Sequence, residues 1–193
     1  MKFIILFIIF FLHAFAFAEQ NTFERFFNNL STLEAEFIQK NYNTNDQLIT
    51  EARGKVYLKR PNQLYWHTHQ PNEQIMVASG SFFWFYDVDL EQASKRHIDH
   101  IRTSPLYWLI AKNAKKDAQL IGQNDTTQWY QTTHQNAPFD RIKFAFTNKQ
   151  LSALELHNIH GKLIIDLIAV HINQPIDDSL FIFNAPAGVD VIE

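Results

Sequence analysis

The stretch Gly54–Asp87, GKVYLKRPNQLYWHTHQPNEQIMVASGSFFWFYD, anchors the reading of the whole chain. Val56, Leu58 and Arg60 alternate with Lys55, Tyr57 and Lys59, the period of a strand with one buried face, so Arg60 is in phase with the apolar side chains. Pro61 removes a ladder donor and biases Arg60 towards extended backbone, which predicts a strand end and a turn at Arg60–Gln63. A second strand carries Leu64 and Trp66 on one side and Tyr65 and His67 on the other. After a turn at Pro71–Glu73, Ile75 and Val77 alternate with Gln74 and Met76, and a Ser79–Ser81 turn leads into Phe82, Phe83, Trp84, Phe85 and Tyr86. This last strand is aromatic on both faces, which a sheet open to water on one side does not need. Each face is therefore expected to have a cover.

At the start of the chain, Met1 and Lys2 precede the apolar run Phe3–Leu12, and Ala16, Phe17 and Ala18 form an A-x-A pattern before Glu19. That is the pattern of a secretory signal peptide at residues 1–18, with an apolar core too short to span a bilayer. It leaves one expected domain at 19–193, large enough for a sizeable core. Of its charged side chains 16 are Lys or Arg and 20 Asp or Glu, a net charge of −4, which does not recommend nucleic acid as a partner. The chain has no cysteine. An exported domain without disulfides must be held by its core alone, which suits a bacterial periplasm, and no thiol is present to carry a lipid anchor.

Asn21 can cap a helix with Glu24 three residues on, and Phe23, Phe26, Phe27 and Leu30 fall on one stripe. Periodicity alone reads this as an ordinary core helix. Ser104-Pro105 begins a second short helix with Leu106, Leu109 and Ile110 on one stripe and Lys112, Lys115 and Lys116 towards its end. Strands are expected at Ala35–Tyr42, Ala52–Arg60, Glu91–His97, Ala118–Gly122, Gln128–His134, Arg141–Thr147, Leu151–His157 and Lys162–Ile172, besides the three of the aromatic region. The last is apolar on both faces and should cross the middle of the sheet. The fold class is then mainly β with short helices, an incomplete, half-open antiparallel barrel of about eleven strands. Eight strands is about the width that side chains can fill, so the larger sheet leaves an apolar cavity, and the two helices are its natural lid.

Catalytic motifs are not found: there is no G-x-S-x-G, H-E-x-x-H, phosphate loop or cysteine nucleophile. The acids Asp87, Asp89 and Glu91 could act as a pair only if they faced the cavity, and read more simply as the polar end of the aromatic strand. His67 with His69, and His157 with His160, have no third ligand and read as mostly solvated histidines, so no metal or cofactor is expected.

At this point the chain resembles the LolA family of periplasmic outer-membrane lipoprotein carriers. The resemblance is carried by GKVYLKRPNQLYWHTHQPNEQIMVASGSFFWFYDVDLEQA at 54–93, EAEFIQ at Glu34–Gln39, SPLYWLIAKN at Ser104–Asn113 and FIFNAPAGVDV at Phe181–Val191, in the same order. It implies a monomeric carrier, not an enzyme. Such a carrier takes acylated lipoproteins from an inner-membrane ATP-driven exporter of the LolCDE kind and passes them to an outer-membrane receptor of the LolB kind. The expected cargo-binding surface comprises Phe23, Phe26 and Phe27 of the first helix and Leu106 and Leu109 of the second. The wall adds Val56, Leu58, Leu64, Trp66, Ile75, Val77, Trp84 and Tyr86. The resemblance makes Arg60 the residue that ties the lid to the barrel. A guanidinium on an inner face needs acceptors, and the last carbonyls of a short helix can supply them. A LolB-like receptor would need a cysteine after the signal peptide, where Glu19 stands. A carrier of another lipid is the nearest alternative in mechanism.

Overall fold

A computed structural model describes residues 21–102, 104–112, 117–133 and 138–193, with the side chains of Pro105, Leu106 and Trp108 excepted. The signal peptide expected at 1–18, the side chain of Leu106, and Lys115 and Lys116 lie outside the described residues.

The chain opens with α1 (Thr22–Asn29), then β1 (Thr32–Asn43), β2 (Leu48–Lys59), β3 (Gln63–Gln70), β4 (Gln74–Ser79), β5 (Phe82–Asp87) and β6 (Gln92–His97). The short helix α2 (Pro105–Ile110) follows, and then β7 (Gln119–Gln123), β8 (Thr127–Thr133), β9 (Arg141–Thr147), β10 (Gln150–Asn158), β11 (Gly161–Ile172) and β12 (Asp190–Ile192). The strands form one sheet in the order β12-β6-β5-β4-β3-β2-β1-β11-β10-β9-β8-β7, and its two end strands do not meet. All pairings are antiparallel except that of β12 with β6. The eleven expected strands are present. β12 is the addition: three residues with parallel pairing offer no periodicity to read.

β11 lies next to the middle of the sheet, paired with β1 and β10. Its two apolar faces have a local explanation. Ala169 sits at positive φ in a register shift, so Leu163, Ile165 and Leu167 face the core before the bulge, and Val170 and Ile172 pack against it afterwards. A second irregularity stands at Arg53/Gly54, where β2 meets β3. There the Phe37 ring crosses Gly54 and stacks on Trp66 at 4.2 Å between centroids, and a Cβ on Gly54 would lie 1.9 Å from the carbonyl oxygen of His67. Only glycine fits this crossing.

The inner face of the sheet carries the helices. Asn21 accepts the Glu24 N–H at 2.8 Å and caps α1, which lays Phe23, Phe26 and Phe27 on the inward side chains of β8 and β9. Phe23 lies 5.6 Å from Tyr130 and 5.3 Å from Phe144, and Phe26 lies 5.3 Å from Phe146. Asn173, just after β11, fixes the end of the helix: its Nδ2 donates to the Asn29 carbonyl and its Oδ1 accepts from the Ser31 N–H at 2.8 Å.

The outer face of β3–β5 has its own cover. A turn of 3-10 helix at Asp178–Phe181 seats Phe181 with 1% of its surface exposed, and Phe183 stacks on Trp84 at 5.1 Å and Tyr86 at 5.7 Å. Lys59 pairs with Asp178, and β12 then zips onto β6. Both faces of the aromatic strand are covered, by different parts of the chain, except at its first residue, where Phe82 is exposed.

Candidate functional site

Under the helices, between β1–β4 and β10–β11, the side chains leave a cavity of about 220 Å³. Val56 and Leu58 of β2, Trp66 of β3 and Met76 of β4 line one wall; Leu151, Leu154, Leu156, Leu163, Ile165 and Leu167 line the other. Leu30, Leu33 and Leu109 close the end beneath the helices, and Phe139 and Gln39 belong to the remainder of the lining.

Of the expected wall residues, Val56, Leu58, Trp66 and Leu109 line this cavity, and Leu64 is fully buried on the same face. Ile75, Val77, Trp84 and Tyr86 do not. Antiparallel partners share a face, and the register pairs Trp66 with Met76 and Leu64 with Ala78. Met76 and Ala78 therefore face inward with their partners Phe85 and Phe83, and Ile75, Val77, Trp84 and Tyr86 face outward beneath the C-terminal segment. Both faces of β4 and β5 are apolar, so alternation alone could not say which was which. Phe23, Phe26 and Phe27 are also placed differently from the expectation, since they are consumed in the aromatic packing against β8 and β9 rather than lining the cavity. The wall from β10 and β11 was missed, although the alternation of Leu163, Ile165 and Leu167 was the signal for it.

Arg60 stands where the two helices end. Its Nε donates to the Leu109 carbonyl of α2 at 2.8 Å, its Nη1 donates to the Phe27 carbonyl of α1 at 2.6 Å, and its guanidinium lies 5.5 Å from the centre of the Phe27 ring. Neither carbonyl has an intrahelical partner by necessity, because the last turn of any helix leaves its C=O groups over. Neither helix carries a basic residue in its own last turn, so one arginine from the sheet serves both. Burial disfavours the charged form and pulls the Arg60 pKa down to about 10. Its Nη2 is buried and has no hydrogen-bond partner among the described residues. The backbone repeats the attachment: Arg60 N–H donates to Ser31 and Asn62 N–H donates to Ile110 at 3.2 Å.

The acids are elsewhere. Asp87 accepts from Gln74 at 2.9 Å and from the Leu90 N–H at 3.1 Å, Asp89 and Glu91 are exposed, and none of the three lines the cavity. Of the four candidate histidines, His69 and His160 are exposed as expected, and His67 and His157 are less solvated. His67 is half-buried against Glu73 at 2.8 Å and packs on the His69 ring, and His157 is half-buried against Glu155. Among the described residues no group of three or more His, Cys, Asp or Glu side chains is placed to hold a metal ion.

The model of the family described as outer membrane lipoprotein carrier protein LolA matches residues 28–184. An outer-membrane lipoprotein carrier protein of Nitrosospira multiformis is 33% identical over 175 residues, covering 86% of this chain and 84% of its own. One from Hahella chejuensis is 32% identical over 173 residues, covering 85% and 83%. Among solved structures, an uncharacterized conserved protein from Thermus thermophilus superposes with a TM-score of 0.57 at 10% identity, over 89% of this chain and 94% of that one, a likeness of fold alone. With a sheet, cavity and arginine of this kind and a family match over most of its length, the chain belongs to the LolA family of outer membrane lipoprotein carriers.

Proposed function

We propose that this protein is a periplasmic carrier that holds the acyl chains of lipoproteins in its cavity and surrenders them at the outer membrane. The observation that carries the reading is an apolar hollow left unfilled by the protein's own side chains and roofed by two helices whose ends are joined by one arginine. The energetics demand such a device. Three acyl chains of roughly sixteen carbons, at about 0.8 kcal/mol per buried CH₂, hold a lipoprotein in a bilayer by tens of kcal/mol, so unaided passage through water does not occur. Non-covalent affinity saturates near about 20 kcal/mol, so a soluble carrier cannot extract the cargo by binding alone. Loading is therefore driven from outside, by an ATP-driven exporter in the inner membrane, and unloading runs to a better acceptor, an outer-membrane receptor.

The closed cavity, at about 220 Å³, is below the roughly 300–1,000 Å³ that encloses a drug-sized ligand, so cargo enters only when the roof moves. α1 is bolted by three buried phenylalanines and Asn173; α2 is a six-residue helix that buries Leu109 and Ile110 and is hydrogen-bonded at its end to Arg60 and Asn62. α2 is accordingly the part that swings, and its closed contacts compete with cargo and keep affinity moderate. Residues 1–18 act as the export signal, and 19–193 as the carrier. The test is incubation of the purified protein with inner-membrane vesicles, ATP and a triacylated lipoprotein. A soluble one-to-one complex is expected, and failure to solubilise any lipoprotein would refute the reading.

A further inference from the structure

Two polar side chains, Gln39 and Ser104, are found in the otherwise apolar lining of the cavity. Gln39 lies on β1 in the inward phase of Leu33, Ala35 and Phe37, between Ala52 of β2 and Ile165 of β11. Its half-buried amide makes no side-chain hydrogen bond among the described residues. A glutamine amide brings two N–H donors and one carbonyl acceptor to this point of a leucine-rich lining, where a leucine or methionine would bring none. Arg60 also has an N–H group without a partner, but it does not line the cavity.

The position of Gln39 along the strand gives the amide a use. Leu30, Leu33 and Leu109 mark the end of the cavity under the helices, and Gln39, Leu156 and Leu163 mark the other. One step further along the same face, Asn41 donates to the Thr50 hydroxyl at 2.7 Å, and this pair is open to water. The inward side chains of β1 therefore run from hydrocarbon, through one amide, to a hydrated polar pair. An acyl lipid has the same profile: a chain, then the carbonyl of its ester or amide linkage, then hydroxyls or peptide.

We infer that Gln39 donates a hydrogen bond to the acyl carbonyl of the cargo, so that the carrier reads the linkage as well as the chain. The inference rests on the carrier reading above and adds a specificity-determining residue to it. Chain burial supplies the affinity, and Gln39 sets how deep the chain sits by engaging the first polar atom that follows it.

Monopalmitoylglycerol and its ether analogue hexadecylglycerol have the same chain and headgroup and differ by one carbonyl oxygen. Their affinities for the purified protein can be compared by displacement of a fluorescent apolar probe. The wild type is expected to favour the ester roughly 3- to 10-fold, the range of one neutral hydrogen bond. Gln39→Met should abolish the preference while leaving ether binding within about twofold. Gln39→Leu, which also has no donor, should abolish it as well, with thermal melts showing both variants folded. Equal wild-type affinities for the two lipids would overturn the inference and leave the carrier reading standing, as would a Gln39→Met protein that keeps the preference. A wild type that takes up neither lipid would overturn both.

Discussion

The strands β4 and β5 are apolar on both sides, and the two sides are covered in different ways. On the outer side the C-terminal segment packs Phe181 and Phe183 directly onto the sheet, pairs Asp178 with Lys59 and finishes as a strand on β6. On the inner side the roof makes no strand pairing. There α1 is packed onto β8 and β9 by its phenylalanines, while the short α2 is held at its end by carbonyl hydrogen bonds to Arg60 and Asn62, with a hollow beneath. An aromatic wall is thus a ligand surface only where its cover is fastened by contacts that can be exchanged. Where the cover is zipped in as a strand and packed by aromatic rings, the same composition is core.

The contrast can be broken at its root, at one face, or at its fastening. The largest effect is expected from Gly54→Ala, which would put a Cβ 1.9 Å from the His67 carbonyl oxygen and 2.7 Å from the Phe37 ring. β2 and β3 would have to part, both faces would be lost together, and urea denaturation should record a loss of about 5 kcal/mol or no folded protein. Phe181→Ala empties the outer cover and should cost about 3–4 kcal/mol by the same assay. Binding of an apolar dye, corrected to the folded fraction, should stay unchanged; a loss of dye binding would show that the outer face also serves the cargo. Arg60→Leu should cost about 1–3 kcal/mol, raise dye uptake several-fold because the roof opens, and slow transfer of loaded lipoprotein to acceptor membranes. Arg60→Lys keeps the charge but cannot reach two carbonyls as a planar fork does, so it should behave like the leucine variant. Normal transfer by either variant would rule out the latch.

The smallest expected effect lies on the outer face of β9 and β10. Burial of the Glu155 carboxyl pushes its pKa up, but hydrogen bonds from Lys143, at 3.0 Å, and His157 outweigh it, and the net shift is downward from 4.5. A depressed carboxylate contributes stability that is present above pH 4.5 and is lost as pH falls below it. Lys143→Met should flatten that acid limb by under about 1 kcal/mol, measured as the melting temperature between pH 3 and pH 6.

Much of this was legible in the chain itself. The strands follow from period-two alternation, the cap of α1 from Asn21 and Glu24, and the inward aim of Arg60 from its phase with Val56 and Leu58. The need for two covers followed from Phe82–Tyr86. What was not legible was the assignment of Ile75, Val77, Trp84 and Tyr86 to the outer face, because that depends on how far the β3–β4 hairpin slides, and both phases of β4 are apolar. The inward stripe of α1 was readable. Whether its rings meet Tyr130 and Phe144 or a void depends on strands more than a hundred residues away. Gln39 falls in the family-like run EAEFIQ, but nothing in a glutamine's neighbours along the chain marks it as lining a cavity.

The parallel addition of β12 has one more consequence. An open sheet offers two rows of unsatisfied backbone groups on which foreign strands can grow. β12 occupies the row on β6 with three residues, and at the other margin β7 spans five residues broken by a bulge between Leu120 and Gly122. Each margin is too short or too kinked to template a run of hydrogen bonds. A sheet that stays open can thereby avoid growing by edge-to-edge pairing.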